Sequence, residues 1–283
     1  MLAAARLPHA WQLALGRRLG PILALIKRKE LRVANRNLEL CFPEWSAAER
    51  EQLIRRHFET LGIAFFEIST AWFAPIERLR EIVEVRGREH LDQAIASGQG
   101  VILLAAHFTT LETSVAMLEE LCSVASCMYR PQRNPMIDTI VKRGRSRFAQ
   151  QQISRDDVRG LIKALRKKSA VVYLPDQTYL GNQSALVPFF GEPAVTNIAT
   201  SKLAKIGGAV VIPYFSRRLP DDSSYVIDIG PPLANIPSDD AMKDTGEIVN
   251  ALENYIRQAP EQYLWLYKKF KGRPAPCPNA YEN

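Results

Sequence analysis

Polar and apolar positions follow two patterns along the chain, one before residue 74 and one after residue 98. In the first part, apolar side chains recur every three or four residues, which predicts amphipathic helices at 46–60 and 62–73. Ser46 and Glu49 have the spacing of a capping box at the start of the first helix. After residue 98, short apolar runs alternate with helical stretches.

The short runs predict buried strands at 101–106, 124–129, 171–174, 210–215 and 225–229. The stretches between them predict helices at 110–121, 135–148, 157–168 and 196–206. Nearly continuous apolar strands that alternate with helices are typical of a parallel sheet covered on both faces. The chain is therefore predicted to have an α/β fold, with a mostly parallel central sheet flanked by helices and a helical N-terminal portion.

Positive charge is concentrated at the N-terminus. The chain has 37 Lys and Arg against 30 Asp and Glu, and residues 1–36 alone hold eight basic residues and one acid, Glu30. Nucleic-acid-binding proteins usually spread such an excess over a face of the fold, so we expect no nucleic-acid partner. The leucine-rich, basic segment 1–30 is typical of an amphipathic helix that lies on an anionic membrane surface. The alternative is a surface helix that packs on its own domain, residues 31–283.

Neither a membrane span nor a metal site is predicted. A spanning helix needs about 18 or more apolar residues, and Arg6, His9, Arg17 and Arg18 interrupt the N-terminal segment. The four cysteines form no C-x-x-C pair and no Cys/His zinc spacing, so we expect reduced thiols.

The block AAHFTTLE carries the first candidate chemistry. His107 follows a predicted strand, and Glu112 lies five residues later in the next helix. A histidine can take a proton from a hydroxyl nucleophile when a carboxylate holds its other ring nitrogen. Alternatively, Thr109 and Glu112 form a helix-capping box and His107 is a structural residue.

A second set of candidates lies further along the chain. Asp176 follows the strand at 171–174, and the aromatic block at 187–191 suits either an acyl channel or the core. Arginines are dense after the strand at 124–129, where they suit phosphate capture or form a solvated face: Arg130, Arg133, Arg143, Arg145 and Arg147. The chain lacks the motifs of serine hydrolases, P-loop enzymes, Rossmann oxidoreductases and zinc proteases.

His107 and Glu112 together resemble the H-x4-D/E motif of glycerolipid acyltransferases. The wider sequence is similar to the late acyltransferases of lipid A biosynthesis, the lauroyl and myristoyl transferases. Matching blocks, which span essentially the whole chain, lie at 32–46, 70–73, 105–112, 129–135, 161–177, 187–191 and 260–274.

The resemblance implies that residues 31–283 are an acyltransferase domain. Its donor would be acyl carrier protein, and its acceptor a hydroxyl on a 3-hydroxyacyl chain of a Kdo-bearing lipid A precursor, at the cytoplasmic face of the bacterial inner membrane. His107 would be the general base and Glu112 its orienting acid, without a metal or cofactor. Residues implied in substrate binding are Arg130, Arg145, Arg147 and Asp176. Acyl carrier protein is acidic, so candidates for a basic docking patch are Lys268, Lys269, Lys271 and Arg273.

The chain departs from the family pattern at two places. Family members usually have a hydrophobic anchor before the segment equivalent to residues 7–30, and here the chain starts almost at that segment. The family's W-L-H-R-R-F-K corresponds to residues 265–271, where a tyrosine and two lysines replace the histidine and both arginines. These positions are therefore left out of the predicted site. Two other hypotheses stay open: acylation of a lysophospholipid, ornithine lipid or aryl polyene precursor, and a non-catalytic membrane-surface protein.

Overall fold

The computed structural model describes residues 1–132, 134–149, 151–220 and 224–281. Its α-helices are α1 (Leu2–Arg6), α2 (His9–Ile26), α3 (Arg28–Cys41), α4 (Ala47–Phe73), α5 (Glu77–Arg80), α6 (Arg88–Ala96), α7 (Leu111–Ala116), α8 (Leu118–Leu121), α9 (Pro135–Arg145), α10 (Val158–Arg166), α11 (Ala199–Gly207) and α12 (Ala241–Gln258). Its strands are β1 (Val83–Arg86), β2 (Gly100–Leu104), β3 (Ala125–Tyr129), β4 (Gln151–Ser154), β5 (Ala170–Tyr173), β6 (Ser184–Phe189), β7 (Glu192–Asn197), β8 (Ala209–Arg218) and β9 (Tyr225–Ile229).

Seven strands form the central sheet, in the order β1-β9-β8-β2-β5-β3-β4. Every neighbouring pair is parallel except β8 and β9, which are antiparallel. Apolar side chains fill a core on each face of this sheet. The predicted α/β class, with its mostly parallel sheet, is therefore confirmed.

Individual elements differ from the sequence prediction in understandable ways. The helices predicted at 46–60 and 62–73 are one continuous helix, α4, which begins with the predicted capping box of Ser46 and Glu49. The short edge strands β1 and β4 escape prediction because half or more of their positions are polar or partly exposed. The aromatic block at 187–191 forms the end of β6 and the turn of the β6–β7 hairpin, and Phe189 and Phe190 belong to the core.

The N-terminal helices pack closely against the rest of the domain. Gly16 and Gly20 of α2 face α4, where a Cβ atom on Gly62 would lie 2.0 Å from the carbonyl oxygen of Gly16. Glycines at this contact let the two helix backbones approach within van der Waals distance. Helix α2 is thus docked along α4 while its opposite face points outward, where Trp11, Ile22, Leu25 and Ile26 are exposed. None of the described helices has the length and apolar character needed to cross a membrane.

Residues 262–270 run across the carboxyl end of the sheet. A buried side chain on α3 fixes this segment, because Asn37 donates from Nδ2 to the carbonyls of Trp265 (2.7 Å) and Tyr267 (2.8 Å). The Tyr281 hydroxyl bonds to Asn37 Oδ1 and accepts from the Phe270 amide at 3.0 Å. Two of the blocks that carry the family resemblance, 32–46 and 260–274, therefore meet in space.

Candidate active site

His107 and Asp176 form a hydrogen-bonded pair at the carboxyl edge of the sheet. The Nδ1 atom of His107 lies 2.7 Å from Asp176 Oδ1, and the His107 amide donates to Asp176 Oδ2 at 3.0 Å. The two residues follow β2 and β5, which are parallel neighbours with Leu104 opposite Tyr173. Each site residue lies three positions beyond its strand's paired end, so the register places them side by side.

The environments of the two side chains differ sharply. Asp176 is buried, with 1% of its side chain exposed, whereas His107 keeps 31% exposed. Burial alone would raise the pKa of Asp176, but the charge and hydrogen bonds of His107, with a smaller contribution from Lys269, lower it below its usual value. The carboxylate is therefore ionised at neutral pH, and an Nδ1–H tautomer of His107 leaves the Nε2 lone pair free to accept a proton.

Glu112 lies in the first turn of α7 and contacts a different set of groups. Its carboxylate accepts from Arg145 Nε, 3.1 Å from each oxygen, and from Arg145 Nη2. The indole Nε1 of Trp72 donates to Glu112 Oε2 at 2.8 Å. Asp176, and not Glu112, therefore bonds to the His107 ring nitrogen that the sequence hypothesis assigned to Glu112. The structural reason is that Asp176 extends directly from a paired strand, whereas Glu112 faces α4 and α9.

Close helix packing brings Arg145 to Glu112. Gly144, the preceding residue of α9, lies so near Trp72 that a Cβ there would be 2.5 Å from the indole ring. Arg147 donates to the carbonyls of Trp72 and Ala74, at the C-terminal end of α4. Both arginines are therefore engaged by protein groups around the site.

The other basic residues predicted for substrate binding or carrier docking lie away from the His107–Asp176 pair or are buried. Arg130 is exposed in the loop after β3, and Arg133 lies outside the described residues. Lys269 is buried, with 3% exposed, so its predicted place in a surface docking patch is wrong. The Arg273 side chain is also buried, at 4% exposure, and pairs with Glu192. Lys268 and Lys271 remain near the surface over the rings of Tyr281 and Tyr267.

Sequence reasoning missed three residues that shape the site. Trp72 and Asn37 lie in blocks that match the family pattern, but nothing in their local sequence indicates a hydrogen bond to a distant partner. Lys269 follows an apolar motif in a basic tail, where burial of a lysine is not expected. Among the described residues, no cluster of three or more His, Cys, Asp or Glu side chains is placed to hold a metal ion.

Comparison of the sequence with known proteins identifies the family of this chain. The model of the family described as bacterial lipid A biosynthesis acyltransferase matches residues 1–272. The lipid A biosynthesis lauroyltransferase of Escherichia coli (strain K12) is 37% identical over 277 residues, 98% of this chain and 90% of that protein. The palmitoleoyltransferase of the same strain is 36% identical over 95% of this chain and 88% of its own length. Its myristoyltransferase is 27% identical over 90% and 80%, respectively. The chain belongs to the bacterial lipid A biosynthesis acyltransferases.

Proposed function

We propose that this protein transfers a fatty acyl chain from acyl carrier protein to a hydroxyl of a 3-hydroxyacyl chain on a Kdo-bearing lipid A precursor. The observation that carries the proposal is the pair of a part-exposed His107 and a buried, ionised Asp176. Such a pair activates a hydroxyl for attack on a thioester without a covalent enzyme intermediate.

His107 acts as the general base in this proposal. Its Nε2 atom takes the proton of the acceptor hydroxyl while Asp176 stabilises the resulting imidazolium at Nδ1. The oxygen attacks the thioester carbonyl, and collapse of the tetrahedral intermediate breaks the C–S bond. The imidazolium then returns its proton to the leaving thiolate, so the products are the ester and the free thiol of the carrier.

Glu112 supports the site through Arg145 in this proposal. Because Arg145 and Trp72 both bond to its carboxylate, Glu112 joins α4, α7 and α9 beside His107. Arg145 keeps only 15% of its side chain exposed. A guanidinium has five N–H donors, so those of Arg145 that do not bond to Glu112 are proposed to bind an anionic substrate group. Asp176, which the resemblance placed in substrate binding, takes the orienting role.

The outward face of α2 is the proposed contact with the anionic inner membrane, at its cytoplasmic face. Trp11, Ile22, Leu25 and Ile26 are more than half exposed on this helix, although α2 is packed against α4 on its other side. Arg17, Arg18 and Lys27 supply positive charge beside them. An apolar stripe with flanking basic residues binds anionic lipid by burial and by charge attraction together.

Docking of the acidic carrier protein is assigned to surface charge, to which Lys268 and Lys271 contribute. Interactions between exposed charges weaken as salt shortens the Debye length. The KM for acyl carrier protein should therefore rise between 50 and 300 mM salt, roughly severalfold. A KM that does not change with salt would contradict docking by charge.

The decisive experiment measures acyl transfer in detergent micelles by mass spectrometry. Lauroyl, myristoyl and palmitoyl acyl carrier proteins serve as donors, and a Kdo-linked tetraacyl lipid A precursor as acceptor. We expect the wild type to add one acyl chain and His107→Ala to add none. His90→Ala, at a part-exposed histidine on α6, is the matched control and should keep full activity.

The same assay separates the other hypotheses. A lysophospholipid acceptor that is acylated in place of the lipid A precursor would assign the site to a different lipid. A folded wild type that acylates neither acceptor but binds anionic vesicles would favour a non-catalytic membrane protein.

A further inference from the structure

One segment of the chain contacts the backbone of both residues in the candidate pair. The Leu264 amide donates to the His107 carbonyl at 2.9 Å, and the Thr109 amide donates to the Gln262 carbonyl at 2.8 Å. Five residues after Leu264, the Nζ atom of Lys269 donates to the Asp176 carbonyl at 2.7 Å. Residues 262–269 thus hold His107 by main-chain bonds and Asp176 by a side chain.

Lys269 is an unusual residue to bury. Only 3% of it is exposed, and its ammonium group lies 4.6 Å from the ring centre of Phe189. Burial lowers its pKa to about 8, although the nearby acidic groups of Asp176, Cys41 and Glu253, with Asp176 first, act in the opposite direction. The surroundings therefore disfavour the charged form, and an apolar side chain of similar length would cost less to bury. Stabilisation of the fold does not explain a lysine at this place.

We infer that Lys269 is a positioning residue for the His107–Asp176 pair. Its ammonium fixes the main chain of Asp176 and so sets the direction in which the carboxylate meets His107 Nδ1. The positive charge also balances that of the buried carboxylate. The inference rests on the proposed function for its catalytic consequence, but the geometry of the pair can be measured without any acyl transfer.

Other bonds keep the segment in place when Lys269 is changed. The Thr178 hydroxyl donates to the Lys269 carbonyl, and the Tyr267 hydroxyl donates to the Thr178 carbonyl at 3.0 Å. Asn37 holds the carbonyls of Trp265 and Tyr267 independently. We therefore expect Lys269→Met, which removes the ammonium and keeps the length, to fold with the segment in its native position.

The first measurement compares kcat/KM for acyl transfer in three proteins. Lys269→Met should lose about 100-fold, the size of effect that a misplaced catalytic group produces. Lys167→Met is the matched control, because Lys167 is an exposed lysine that precedes β5 and so lies at the amino edge of the sheet, opposite the site. The control should stay within about twofold of the wild type.

The pH profile separates positioning from a general loss of structure. The wild type and Lys167→Met should lose activity above pH 8 as Lys269 deprotonates. Lys269→Met should be slow at every pH and lack this alkaline loss. Lys269→Arg keeps the charge and a donor, so it should retain most activity, and its alkaline loss should disappear because a guanidinium does not titrate there. An alkaline loss that persists in Lys269→Arg would overturn the inference.

The second measurement detects the pair itself by NMR on protein labelled with ¹⁵N at its four histidines. We expect a downfield Nδ1 proton of His107 in the wild type and in Lys167→Met, and its loss in Lys269→Met. If Lys269→Met keeps this proton or keeps full activity, Lys269 does not position the pair. A wild type with the proton but no acyl transfer would refute the proposed function alone. Should Lys269→Met fail to fold, the pH profile of Lys269→Arg decides.

Discussion

Leu104 lies opposite Tyr173 in the parallel pairing of β2 and β5, and this one register sets the geometry of the site. The chain leaves both strands in the same direction, so residues at equal distances beyond the pair stay adjacent. His107 and Asp176 are such residues. The pairing of His107 with Asp176 therefore follows from the strand register, and the short segments after the two strands carry the side chains.

Asp176→Asn tests the orienting carboxylate. The amide keeps the size of the side chain but removes its charge, so the imidazolium is no longer stabilised. We expect kcat for acyl transfer to fall by about 10²–10⁴-fold. Asp156→Asn is the control, since that side chain is 80% exposed. A variant with more than a tenth of wild-type activity would show that Asp176 does not orient the base.

The ion pair between Glu112 and Arg145 is largely buried, so removal of one partner should destabilise the fold. Glu112→Gln leaves a largely buried guanidinium without its carboxylate, which should lower the free energy of unfolding by about 3 kcal/mol in urea. Adding Arg145→Met should recover part of this loss, because the unpaired charge is removed. Glu51→Gln, which breaks an exposed pair with Arg55, should change stability by about 0.5 kcal/mol or less. Equal effects of the two glutamate changes would exclude a structural role for Glu112.

The exposed face of α2 predicts how the protein binds vesicles. Replacing Trp11 and Ile26 together with serine removes apolar surface that is already exposed, so the fold should be unaffected. Binding to vesicles that contain phosphatidylglycerol should weaken on the order of 100-fold in a sedimentation assay. Val124→Ser, at an exposed valine before β3, serves as control and should bind like the wild type. Unchanged binding of the double variant would place the membrane contact elsewhere.

Two glycines in helices should respond in opposite directions to alanine. Gly62→Ala places a methyl group against the Gly16 carbonyl, so α2 must move away from α4. We expect a loss of about 1–3 kcal/mol in the free energy of unfolding. Gly246→Ala in α12 meets no atom within 4 Å and should stabilise the protein by up to about 1 kcal/mol. Thermal and urea unfolding of both variants would test this contrast.

His57 predicts a pH dependence of stability. It is fully buried with Nδ1 2.9 Å from the Glu261 carbonyl oxygen, and burial lowers its pKa from 6.5 to about 4. Between pH 6.5 and about 4, His57 is therefore protonated in the unfolded chain but neutral in the folded chain. The free energy of unfolding should fall by up to about 3 kcal/mol as the pH drops from 6.5 to 4. His57→Gln should show a shallower decline in urea titrations, and an equally steep one would contradict this assignment.

Much of the framework of the site could be predicted from the sequence, because strand and helix periods are local signals. The apolar runs located β2, β5 and β9 to within two residues, and two of them are followed closely by His107 and Asp176. The equal offsets of the two residues appear only when the strands end at Leu104 and Tyr173, as observed, and the register that makes the offsets meaningful is a tertiary property.

The partners of Glu112 and Lys269 could not be found in this way. The bond from Arg145 to Glu112 requires α9 to lie close to Trp72, and Gly144 allows this because it has no side chain there. Burial of Lys269 depends on the path of the chain after the short 3₁₀ helix Pro260–Gln262. Asn37, on α3, fixes that path by its bonds to the carbonyls of Trp265 and Tyr267. Neither periodicity nor motif spacing reports such distances.

The bond from Asn37 to the Trp265 carbonyl joins residues 228 positions apart. A ribosome makes Asn37, His107 and Asp176 well before it makes residues 262–269, which tie them together. The segments of β2 and β5 are made early, but the candidate site stays incomplete until the contacts with residues 262–269 can form. Contacts of such long range form slowly, because a long loop must close before they are made. The candidate site is therefore completed only after residues 262–269 have been made, and a chain interrupted before residue 262 lacks the bonds from Leu264 and Lys269 to His107 and Asp176.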